Sequence, residues 1–84
     1  MIEHETMTSL LSVLSSMGGY PARESVIYAH VNAGQPDVKT LACIREHLAH
    51  ARAKGWADYI VDEIDHGKKW FIRPEGRALL EAQR

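Results

Sequence analysis

Gly55 splits this chain into two parts with different hydrophobic periods, and no other feature narrows the fold as much. Up to Gly55, apolar residues recur every three or four positions, the repeat that lines one side of an α-helix. Beyond it, "WADYIVDEI" (56–64) and "KKWFIR" (68–73) are short, rich in β-formers and partly alternating, as strands are. A chain that changes period once in this way builds helices first and a hairpin afterwards.

The helical part divides further. Met7, Leu10, Leu11, Leu14 and Met17 fall on one stripe, and Gly18-Gly19 ends it because glycine takes a left-handed conformation without steric cost. Pro21 suits the first turn of a second helix, about 21–32, with Val26, Ile27 and Val31 facing inward and Asn32-Ala33-Gly34 closing it. Asp37 is a good N-cap for a third helix, about 38–54. There Leu41, Ile44, Leu48 and Ala51 share an arc of about 80°. Lys39, Cys43, Glu46, His47, His50 and Lys54 then lie broadly opposite, while Arg45 and Arg52 border the apolar arc and their stems would cover the core.

In the hairpin, His66-Gly67 fits a two-residue turn that sets Asp65 opposite Lys68, Glu63 opposite Trp70 and Val61 opposite Ile72. Pro74 cannot donate to a ladder, so the second strand stops there; Glu75 opens a final helix that contributes Leu79-Leu80.

The 84 residues are enough for one domain, 1–84, with a thin core. A composition that is 45% hydrophobic and 25% charged excludes a disordered tail. No apolar run approaches the ~20 residues of a membrane span. The opening "MIEHETMTSLL" carries acid where a signal peptide wants Lys or Arg. The single Cys43 cannot form an internal disulfide, and together these features lead us to expect a cytoplasmic protein. The net charge of −1 hides an alternation: −3 over 1–38, +3 over 39–54, −4 over 55–66 and +3 over 67–84. Such blocks are compatible with one basic face on an acidic body.

Helices two and three are joined by a few residues containing Gly and Pro, as in a helix-turn-helix. With "HLAHARAKGWADYIVDE" (47–63) and "KWFIRPEGRALLE" (69–81), the chain resembles winged-helix domains of bacterial transcription regulators of the MarR and PadR kind, best over 38–81. It departs from them in Arg73, where the pattern has Thr, and in a short Gly18–Pro21 segment in which Tyr20 stands for the small first strand. The resemblance implies an α+β, mostly α fold: a winged helix-turn-helix of three helices, a two-stranded β-hairpin wing and a short C-terminal helix. It also implies double-stranded DNA as partner, as for a small bacterial or phage-type transcription regulator. The recognition helix, about 38–54, would enter the major groove and the wing, about 57–73, would meet the backbone. Such regulators bind palindromes as homodimers.

On that reading Lys39, Thr40, His47, His50 and Lys54 face the groove, and His66, Lys68 and Lys69 at the hairpin tip contact phosphate. The outward face so defined lacks Arg, Asn and Gln, the side chains that make bidentate pairs with guanine or adenine. Two other readings use the same residues. Overall acidity and the acid-rich Asp58, Asp62 and Glu63 suit a protein-binding adaptor. Cys43, His47 and His50, spaced C-x3-H-x2-H, form a candidate metal set on one helix, although no metal or other cofactor is assigned. Catalysis is not expected, since there is no glycine-rich phosphate loop, metallohydrolase motif or nucleophile elbow.

Overall fold

A computed structural model describes residues 1–83; Arg84 lies outside it. The elements run α1 (His4–Ser16), β1 (Ala22–Arg23), α2 (Glu24–Asn32), α3 (Leu41–Ala53), β2 (Ala57–Val61), β3 (Lys68–Ile72) and α4 (Pro74–Ala82). The α1 stripe forms the centre of the core: Met7, Leu10, Leu11 and Leu14 are buried against Ile27 and Val31 of α2 and Ile44, Leu48 and Ala51 of α3. Ala57, Trp70 and Ile72 of the sheet and Leu80 of α4 close the other side. This is the winged helix-turn-helix that the sequence resemblance implies, mostly helical and with a hairpin wing. No helix among the described residues is long and apolar enough to cross a membrane.

Several expectations move. Pro21 does not open α2. It precedes the two-residue strand β1, so the small first strand is Ala22–Arg23, and Tyr20 stands exposed before it. Val26 lies on the solvent side of α2. The cap of α3 is Thr40, not Asp37: the Thr40 hydroxyl accepts from the Cys43 amide at 3.1 Å. Asn32 explains the shift. Its side chain accepts from the Lys39 amide at 2.7 Å and donates to the Lys39 carbonyl at 3.0 Å. That clamp holds Lys39 outside the helix and fixes the turn between α2 and α3.

The sheet has three antiparallel strands in the order β1-β3-β2. Its hairpin register differs from the one expected. Val61 pairs with Lys68, Tyr59 with Trp70 and Ala57 with Ile72, so the loop spans 62–67 and is not a two-residue turn. Asp62 causes this. Its carboxylate accepts from the amides of Ile64 and Asp65, and its carbonyl accepts from the His66 amide. These bonds compete successfully with four further residues of ladder.

Two glycines fix the wing to the helices. Gly55, with φ +78°, follows the end of α3 in a Schellman arrangement: Trp56 N–H donates to Ala51 C=O and Gly55 N–H to Arg52 C=O. Gly76 lies in the first turn of α4, so close to Trp56 that a methyl group there would collide with the Trp56 carbonyl oxygen. The same carbonyl accepts from Arg73 N–H at 2.9 Å, joining the root of β2 to the start of α4.

Candidate nucleic-acid interface

The helix α3 has one buried side and two unlike flanks. The buried arc holds Ile44, His47, Leu48 and Ala51, and Leu41 is partly exposed. Exchanging Leu41 for His47 turns the buried arc by about 30° from the sequence-based one. His47, expected to face a DNA groove, is therefore 0% exposed and contacts no solvent. The burial is possible because both ring nitrogens are satisfied. Nδ1–H donates to the Cys43 carbonyl at 2.8 Å, and Nε2 accepts from the Glu3 amide at 3.0 Å.

That geometry also bears on the candidate metal set. The lone pair of His47 is already engaged by Glu3 N–H, and His50 packs edge-on to Trp56 with ring centroids 5.9 Å apart, on the side of α1 and α4. No group of three or more His, Cys, Asp or Glu suited to a metal ion occurs among the described residues.

The solvent-facing crest of α3 consists of Ala42, Glu46, Ala49 and Ala53. On its wing side, Arg45 and Arg52 rise one helical repeat of seven residues apart. Together with Tyr59, Lys68 and Trp70 of the wing, and Glu24 of α2, they line an open cleft of ≈ 550 Å³. Tyr59 packs against Trp70 with centroids 4.9 Å apart and ring planes tilted by 51°, and carries the Arg52 guanidinium 4.9 Å and the Lys68 ammonium 4.8 Å from its ring centroid. A cleft with two cations over an aromatic ring and a third, Arg45, on its wall suits an anionic, extended ligand.

Most of these cations are already paired within the chain. Arg45 Nε donates to Glu24 at 2.7 Å and Arg52 Nε to Asp58 at 3.0 Å. The Tyr59 amide and then Arg52 hold the Asp58 carboxyl below the ordinary carboxylate range. Lys39 reaches Glu3 at 3.2 Å and Lys69 reaches Asp62 at 2.8 Å. The Lys69 ammonium, with the Ile64 and Asp65 amides, lowers Asp62 to about 2.

The expected site residues are thus dispersed. Lys68 lies in the cleft. Lys39 and Thr40 precede α3, Lys54 caps its other end, and His66 sits exposed in the wing loop with φ +61°. Lys69 is latched to Asp62, His50 faces away from the wing, and His47 is in the core. Arg45 and Arg52, expected to cover the core with their stems, carry the cleft instead. Their seven-residue spacing was the available sign, obscured by placing the apolar arc about 30° too far toward them.

Neither a family model nor a curated protein matches the chain. Solved structures do. A proposed DNA-binding protein of Ralstonia eutropha JMP134 superposes with TM-score 0.75 at 22% identity, over 99% of this chain and 98% of that one. A transcriptional regulator of Clostridium thermocellum gives TM-score 0.80 at 16% identity, over 99% and 84%. FabT of Streptococcus pneumoniae, solved in complex with DNA, gives TM-score 0.70 at 14% identity, over 98% of this chain and 52% of that one. At these identities the likeness is one of fold: the chain is a winged helix.

Proposed function

We propose that this winged helix binds double-stranded DNA as a transcription regulator, without catalysis. In this reading α3 enters the major groove and a phosphate backbone passes through the cleft between α3 and the wing. The observation that carries it is one cleft, beside an exposed helix crest, that Arg45 lines and in which Arg52 and Lys68 lie over the Tyr59 ring. The alanines of the crest allow close approach and methyl contact with thymine. Lys39, Thr40 and Lys54 flank the helix as further phosphate contacts, and a homodimer would double the count offered by one copy. The expectation that His47 reads a base is withdrawn.

Fluorescence anisotropy of a labelled mixed-sequence duplex tests this. The chain should bind at ~10⁻⁴–10⁻⁶ M at ~50 mM salt, and at ~200 mM more weakly by roughly 40-fold or more for three or more phosphate contacts. The triple variant R45A/R52A/K68A should lose most of the affinity and most of the salt dependence. No binding by the parent at either salt would reject the reading. A protein-binding adaptor would then stand first, because the wing exposes the large apolar residues Ile60, Val61 and Ile64, the last 92% exposed.

A further inference from the structure

We infer that Glu24 and Asp58 are built-in competitors of DNA phosphate, each holding in the free protein an arginine that the backbone takes in the complex. The inference rests on the DNA reading above and adds to it which residues set the strength of the contact.

The geometry has three parts. First, neither carboxylate belongs to α3: Glu24 begins α2 and Asp58 lies on β2, so two separate elements each extend an acid to an arginine of the same helix. Second, each ion pair is made through Nε. The shortest contact of each pair is thus at the root of the guanidinium, not at its outer tip. Third, the arginines stand outside their partners. Arg45 is 63% exposed over a Glu24 that is 20% exposed, and Arg52 is 55% exposed over an Asp58 that is 36% exposed. A phosphate arriving from solvent meets the guanidiniums first.

Weak, exposed ion pairs of this kind are easily exchanged. The exchange still has a consequence, because a displaced carboxylate remains beside the incoming phosphate and repels it. Each acid therefore subtracts from phosphate affinity while leaving contacts made by the crest of α3 untouched. Lys68, held over the neutral ring of Tyr59 with no carboxylate partner among the described residues, is the cleft cation that needs no exchange.

The test compares E24Q, D58N and the double variant with the parent chain and with E81Q, which removes one exposed negative charge that makes no ion pair among the described residues. The carboxamide of D58N keeps an oxygen to accept from the Tyr59 amide, and thermal melts establish that each variant is folded. Against a mixed-sequence duplex at ~50 mM salt, each single variant should bind about three- to fivefold tighter than the parent and the double variant about tenfold or more, with a steeper salt dependence. The gain from E24Q should vanish in an R45Q background. Gains no larger than that of E81Q would overturn the inference, as would weaker binding, which would mean that the acids position the arginines. If the parent binds DNA and the double variant gains nothing, only this inference fails. If neither binds at either salt, the DNA reading fails and takes the inference with it.

Discussion

On the α1 side of α3, His47 gives both ring nitrogens to fixed backbone groups and disappears from solvent. On the wing side, Arg45 and Arg52 give theirs to carboxylates on flexible side chains and stay at the surface. One helix thus carries polar residues with two different physical roles. Where the partners are backbone atoms that cannot move away, a polar side chain becomes part of the core. Where the partners are side-chain acids beneath an exposed cation, the contact is exchangeable and the same kind of residue is available to a ligand.

The comparison is sharpest at His47. Its replacement by alanine removes two part-buried hydrogen bonds, strands the Glu3 amide and leaves a cavity. The expected loss is about 2–4 kcal/mol, a fall in Tm on the order of 10–20 °C by calorimetry. Binding to DNA, measured at a temperature where H47A remains folded, should be unchanged. A variant that kept its Tm and lost DNA affinity would reverse the assignment of the two flanks.

The next effect is at the wing loop, where Asp62 combines both kinds of partner: two backbone amides, and the Lys69 ammonium with the Arg23 guanidinium. Its carboxyl is lowered to about 2 in the folded chain, against ~3.9 when unfolded. The stabilisation is therefore present above pH ~4 and lost as pH falls from there through ~2. The parent should melt above D62N at pH 6, and the gap should close as the pH is lowered. A gap that stayed constant would place the contribution of Asp62 in its shape and not its charge.

The smallest effect on stability is expected at R52A. An exposed ion pair contributes little to folding because water and salt screen it, so Tm should move by about a few degrees at most while phosphate affinity falls. A large loss of stability there would make Arg52 structural and erase the contrast with His47.

Much of this arrangement was legible in the sequence. The α1 stripe, the stop at Gly55 and the change of period beyond it led to helices, hairpin and final helix, because each depends on local spacing or on a residue with restricted backbone options. What was not legible depended on contacts between distant residues. His47 reads as a surface histidine until Glu3, 44 positions away, is seen to donate to it. Asp37 reads as a cap until Asn32 is seen to hold Lys39 out of the helix. The hairpin register failed similarly, since Asp62 looks like a strand residue until its carboxylate is placed on two amides of the loop. The candidate site inherited the first of these errors: once the buried arc was misplaced, Arg45 and Arg52 were assigned to the core edge.

The contact between Gly76 and Trp56 has a consequence for how this sequence can vary. Most tight contacts in a core join two side chains, so enlarging one can be rescued by shrinking the other. Here the obstacle to a larger residue at 76 is the carbonyl oxygen of residue 56, an atom that all twenty amino acids share. No second substitution at 56 can relieve it. Randomising both positions together and selecting for folded protein should therefore return many residues at 56 and glycine alone at 76, a one-sided dependence that pairwise comparison of variable positions would not reveal.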